Sequence, residues 1–350
     1  MTDVLNLNAN VDNKRNLINF LKTENKTKSL HQISFLRAIA SISVCIFHLS
    51  YGNTSFLVKS NFILKTFSYG YLGVQVFFIL SGFIICYSLP PNYQLKNFFS
   101  FFKKRLIRVE PPYLLSILVT LIVAYISALI TKNPVEFSWK NLLYHIGYLN
   151  SFTKTPYINP VYWTLGIEFQ FYILIGLLFP LMKKSVYFLI LIITGLLLLN
   201  LMKFSDGNLI FAHTPFFCAG IISYFISCSI QYPKWILICL LVATLLTITF
   251  NRPEVIYVSF FAICILALPF RYNTFVQFFS NISYSLYLIH VPIGGRIINL
   301  SLRFVKTDNQ KYLAIATAFI TSIIAAYLFY LVVEKPAIKW SKKIRYFCAN

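Results

Sequence analysis

The chain has 350 residues, 58% of them apolar and only 12% charged, with 31 Lys and Arg against 10 Asp and Glu and a net charge of +21. Soluble domains carry roughly 25% charged residues, so there is too little polar surface here to cover a water-soluble globule, and the chain reads as a membrane protein. The basic excess forms no separate domain with interleaved aromatics; it points to topology signals and contact with anionic membrane lipid, with no nucleic acid as partner.

Residues 1–29 are polar, carry Lys14, Arg15, Lys22, Lys26 and Lys28 without the pattern of a cleavable signal, and read as a cytoplasmic N-terminal tail. A helix rises 1.5 Å per residue and needs about twenty apolar residues to cross a ~30 Å hydrocarbon core. Such runs lie at 31–51, 69–89, 111–131, 161–182, 185–203, 208–230, 234–250, 254–270, 281–301 and 311–333. The expected fold is therefore all-α: a polytopic membrane domain over 30–340 with about ten transmembrane helices, followed by a basic C-terminal tail at 341–350. "NRPE" between the seventh and eighth runs predicts a tight helical hairpin. With both termini cytoplasmic, 19 basic residues fall inside and ten outside, as the positive-inside rule requires. The seven cysteines show no CxxC spacing; they read as small hydrophobes, and no metal site is expected.

In the first run, "RAIASISVCIFH" sets Arg37 and His48 eleven positions apart. Eleven steps of 100° end ~20° past three turns, so both lie on one stripe of the helix, ~16 Å apart along its axis. Either side chain alone has a structural explanation, Arg37 by snorkelling and His48 by bonding a neighbouring helix; together they suit an anion contact and a proton carrier on one line. The second run holds Gly70, Gly73, Ser81 and Gly82, small residues that let helices approach closely. Ahead of the third, "KKRLIRVEPP" puts Arg105 and Arg108 on one face before a proline-marked helix start, a geometry suited to phosphates or simply to a charged stop signal.

His145 and His213 are expected near the outer rim. Glu168 is the one acid well inside a run, and a buried carboxylate needs a basic partner, a hydrogen bond or a proton. His290 and Arg296 follow in the ninth run, as a structural pair or a polar site.

In order, "RAIASISVCIFH", "GYLGVQVFFILSGF", "RLIRVEPPY", "VYWTLGIEFQFY", "SYSLYLIHVPI" and "VVEKP" resemble the bacterial acyltransferase-3 membrane family over about residues 30–340. The resemblance implies a ten-span enzyme of the bacterial inner (plasma) membrane. Its activity would be transfer of an acyl group, most often acetyl from acetyl-CoA, to a hydroxyl of an envelope glycan such as lipopolysaccharide, capsule or exopolysaccharide. The family's motif positions fall on Arg37, His48, Arg105, Arg108, Glu168, His290 and Glu334. In that reading Arg105, Arg108 and Arg37 hold the acyl-CoA phosphates, His48 is general base or transient acyl carrier, and Glu168 orients the imidazole or the acceptor. His290, Arg296, Glu334 and Ser81 are further polar positions for the acceptor or for structure. Without an appended extracytoplasmic domain, the acceptor is expected to be lipid-linked or handed over by a partner. The alternative is a secondary transporter or flippase for a glycan or lipid-linked sugar, which would show related halves; no internal symmetry is visible.

Overall fold

A computed structural model describes residues 31–52, 62–132, 137–153, 155–202, 207–228, 232–268 and 273–346. The polar segment 1–29 and Cys348 lie outside the described residues. Every described regular element is a helix. We label α1 (His31–Ser50), α2 (Gly73–Ser88), α3 (Phe98–Thr131), α4 (Trp139–Ile146), α5 (Trp163–Lys184), α6 (Val186–Leu201), α7 (Thr214–Cys228), α8 (Lys234–Asn251), α9 (Ile256–Ala267), α10 (Thr274–His290), α11 (Arg296–Ser301), α12 (Asp308–Phe329) and α13 (Lys335–Lys342). Each apolar run of the sequence falls on one of them. Among the described residues six helical stretches are long and apolar enough to cross a membrane, and three shorter apolar helices accompany them. On α3, Leu118, Ile122 and Ile126 stand exposed one turn apart, the apolar perimeter expected of a bundle that faces lipid.

Two boundaries differ from the sequence reading. Pro111 and Pro112 do not start a helix; they lie inside the 34-residue α3, which begins at Phe98 and carries Arg105 and Arg108 along with it. Apolar and aromatic residues at Phe98, Phe101 and Phe102 pack against α5 and extend the helix past the charged run, and that packing outweighs the lost proline N–H bonds. Helix α10 begins seven residues before the apolar run because the Asn273 carboxamide caps it, accepting from the Phe275 N–H at 3.0 Å. The predicted hairpin stands: α8 ends at Asn251, one 3-10 turn spans Pro253–Val255, and α9 starts at Ile256.

Proline inside an apolar helix frees the carbonyl four residues earlier, and hydrocarbon offers it no water. Here side chains from neighbouring segments donate to it. Tyr93 Oη reaches the Gly176 carbonyl freed by Pro180 (2.9 Å), and Asn159 Nδ2 the Leu288 carbonyl freed by Pro292 (3.1 Å). Each proline thereby becomes a cross-link.

Small residues fix the helix crossings. A Cβ on Gly73 would stand 2.6 Å from the Ala40 carbonyl oxygen and one on Gly70 2.3 Å from that of Ser43, so the start of α2 lies directly on α1. At the other end of α2, Gly82 meets Gly220 of α7, backbone to backbone. Helices α1 and α10 run in the same direction, since Arg37 meets Ser283 and His48 meets His290. Two π-helical turns interrupt the long helices, Val291–Gly295 directly after His290 and Tyr330–Glu334 ending on Glu334; such turns re-aim the side chains beside them.

Between α3 and α5 several polar side chains are buried. His145, Asn150 and Asn159 are buried there, and Tyr148, at a positive φ of 55°, is wedged between the rings of Tyr113 (5.1 Å) and Phe169 (4.8 Å). This stacking holds a conformation that disfavours a non-glycine residue by about 1–2 kcal/mol.

Candidate functional site

Two cavities open on the stripe that carries Arg37 and His48, Arg37 lining one and His48 the other. The first, about 130 Å³, is lined by Arg37, Arg105, Arg108, Glu168, Ser81 and Glu334, together with the aromatic rings of Tyr172, Tyr284 and Tyr287. Six of the nine candidate residues therefore converge from five segments of the chain. Three guanidiniums face two carboxylates, and among the described residues no carboxylate lies within 4 Å of any of the three. Arg37 Nε donates to Ser283 Oγ at 3.2 Å; Arg105 donates to Ser88 Oγ and lies over the rings of Phe101 and Tyr172. A guanidinium has five N–H donors, so each keeps capacity for an anion.

The carboxylates are tied into the helices. Ser81 Oγ donates to Glu168 Oε1 at 3.0 Å, and Glu168 also hydrogen-bonds Tyr172 one turn on. Glu334 Oε2 accepts from both the backbone N–H (3.1 Å) and the hydroxyl (2.5 Å) of Ser285, pinning the end of the Tyr330–Glu334 π turn to α10. Glu334→Ala takes the carboxylate from the buried Ser285 hydroxyl and frees the π turn from α10, and we expect it to lower the unfolding free energy in detergent by about 1–3 kcal/mol, with Glu334→Gln recovering part of the loss. Equal thermal stability of the alanine variant and the parent would remove this pin.

The second cavity, about 300 Å³, is lined by His48, Asn159, Thr120, Arg296 and Asn299. His48 does not meet Glu168; its ring meets His290, with His48 Nδ1 3.1 Å from His290 Nε2. Backbone carbonyls fix the tautomers of the neutral rings. His290 Nδ1, 2.8 Å from the Leu286 carbonyl, can only donate there, so its Nε2 is a lone pair. His48 Nδ1, 3.0 Å from the Val44 carbonyl, likewise carries its proton and shares it with that lone pair. What remains is His48 Nε2, an unprotonated nitrogen on a residue that borders the cavity.

Tyr287 lines the first cavity and approaches the histidine pair. Its hydroxyl bonds Thr164 Oγ1 (2.6 Å) and the Val161 carbonyl (3.2 Å), and its ring lies 6.2 Å from that of His290. Sequence reasoning missed Tyr287 and Asn159. A signal for the first was present, since Ser283, Tyr287 and His290 follow at i, i+4 and i+7 on one face of α10. Nothing local marks Asn159, whose partner carbonyl is 129 positions away.

His145 and His213 are held by backbone partners. His145 Nδ1 donates to the Asn141 carbonyl (2.8 Å) and its Nε2 accepts from the Ile158 N–H (3.0 Å); burial in the segment connecting α3 and α5 pushes its pKa below the ordinary histidine value, which keeps Nε2 available as that acceptor. His213 Nε2 donates to the Gly207 carbonyl at 2.9 Å, and its ring lies against Phe78 and Trp163.

Residues 30–332 match the family model described as Acyltransferase domain, acyltransferase-3. The chain belongs to this acyltransferase-3 family. It is 26% identical to "O-acetyltransferase OatA" of Staphylococcus aureus over 86% of the chain, and 28% identical to "Putative acetyltransferase ORF330" of Acidianus two-tailed virus over 55% of the chain. This acyltransferase-3 chain spans 56% and 57% of the lengths of those two relatives, respectively. No solved structure matches it.

Proposed function

We propose that this acyltransferase-3 protein crosses the bacterial plasma membrane ten times, with both termini cytoplasmic, and transfers an acyl group, most often acetyl, from acyl-CoA to a hydroxyl of an envelope glycan or lipid-linked saccharide. The observation that carries the reading is the His48–His290 pair, with His48 bordering one cavity and three guanidiniums on the same helical bundle lining another. Arg105, Arg108 and Arg37 hold the donor's phosphates by charge-assisted hydrogen bonds, while the thin pantetheine arm runs inward. Tyr287 leaves Thr164 as the thioester passes.

His48 Nε2 then takes the proton of the acceptor hydroxyl as its oxygen attacks the thioester carbonyl carbon. The C–S bond breaks, and the departing thiolate takes that proton from His48, so one O–H and one C–S bond are exchanged for one C–O and one S–H bond. His290 Nε2 accepts the His48 Nδ1 proton throughout, orienting the ring and stabilising the transient imidazolium. Glu168 stays with the donor cavity.

Membranes containing the protein should move label from acetyl-CoA to an endogenous glycan, and mass spectrometry of surface glycans with and without the gene should show the added acyl mass. Movement of a saccharide across the membrane with no label transferred would favour the flippase instead. Arg105→Ala and Arg108→Ala should each weaken acetyl-CoA binding about ten- to a hundredfold, the equivalent of one charged hydrogen-bonded contact. Unchanged affinity in both would reduce the pair to a charged stop signal.

A further inference from the structure

The polar lining of the second cavity divides into committed and uncommitted groups. Asn159 gives Nδ2 to the Leu288 carbonyl and accepts the Val161 N–H on Oδ1; Thr120 donates to the Ser116 carbonyl and meets Tyr162 Oη. These groups build the wall. Two retain capacity toward the space: His48 through Nε2, and Arg296, whose guanidinium makes one long contact of 3.5 Å to Ser127 Oγ. Four of five guanidinium donors thus have no such contact among the described residues. Among the described residues no carboxylate lines this cavity, and Arg296 itself is exposed, so its charge can be reached from outside the bundle. A cation facing a cavity without a counter-charge, beside an unprotonated imidazole, fits a ligand that brings the negative charge itself.

The wall also leaves room at one point. A Cβ on Gly295, in the π turn one residue before Arg296, would find only Val291 Cγ1 at 3.9 Å. At about 300 Å³ the cavity is at the lower end of small-ligand pockets, the scale of a sugar ring.

Resting on the acyltransfer reading for the role of His48, we propose that the second cavity is the acceptor subsite and that Arg296 selects saccharides bearing an anionic group, a carboxylate or a phosphate, close to the hydroxyl to be acylated. The lone pair on His48 receives the hydroxyl proton while the guanidinium holds the charge.

The test does not require turnover. Diethyl pyrocarbonate modifies unprotonated imidazole, and mass spectrometry of the peptide carrying His48 measures its rate in the purified full chain. Glucuronic acid and glucose 1-phosphate should slow this modification, whereas glucose at the same concentration should not. Protection by the two anions separately tells a carboxylate acceptor from a phosphate-bearing one, and protection by either supports the proposal. Arg296→Gln should weaken protection roughly tenfold, Arg296→Lys should retain part of it, and Gly295→Leu should abolish it by filling the space. Equal protection by glucose, no protection by either anion, or full protection in Arg296→Gln would overturn the proposal. Acetyl-CoA binding, read at the other cavity in the same samples, tests the acyltransfer reading separately and should be unchanged in Arg296→Gln.

Discussion

His48→Ala membranes should transfer label from acetyl-CoA at a rate about 10²- to 10⁴-fold below the parent, the range that a positioned general base contributes. Expression, membrane insertion and acetyl-CoA affinity should stay near parental, because His48 borders the cavity without the three arginines and bonds only a backbone carbonyl and His290. The companion variant His290→Ala separates orientation from chemistry. It leaves Nε2 of His48 in place but removes the acceptor for its Nδ1 proton, so turnover should fall less than in His48→Ala, with the pH profile displaced. Parental turnover in His48→Ala would remove this residue from the reaction and with it the mechanism proposed above.

The second large effect concerns the frame. A Cβ on Gly220 would lie 1.9 Å from the Ile79 carbonyl oxygen and 2.8 Å from the Phe83 nitrogen, backbone atoms that no rotamer change can move aside. Gly220→Leu should force α2 from α7 and lose more than about 3 kcal/mol, above the usual 1–3 kcal/mol for overpacking, because helix axes rather than side chains must shift. The outcome to look for is loss of folded protein after detergent extraction. Gly195→Ala in α6 is the control: nothing lies within 4 Å of its Cβ position, and the substitution should leave stability unchanged or raise it by about 0.5–1 kcal/mol. Comparable yields of folded Gly220→Leu and Gly195→Ala would show that the α2–α7 crossing is not set by its glycines.

Both expectations begin from signals of different legibility. The stripe of Arg37 and His48 was readable because helical periodicity is local, and the structure places both against α10, as one stripe should be. The close packing of Gly70, Gly73 and Gly82 was readable for the same reason, although their partners Ala40, Ser43 and Gly220 were not. Glu168, the one acid well inside a run, is expected from the sequence to orient either the imidazole of His48 or the acceptor. Proximity in a bundle depends on helix rotation and depth, and these brought His290 to the imidazole and Glu168 to Ser81. Pro111 and Pro112 misled for a related reason: local preference marks a helix start, whereas packing of the preceding aromatic turn against α5 carries the helix through.

By itself the sequence determined that this chain is a helical membrane protein with a small set of ionisable groups in apolar runs, because composition and a 3.6-residue period are properties of neighbouring residues. Tertiary structure alone decided that those groups line two cavities, which imidazole nitrogen is left unprotonated, and that Asn159 holds the carbonyl Pro292 sets free. These depend on contacts between residues more than a hundred positions apart, whose geometry is fixed only when the helices dock.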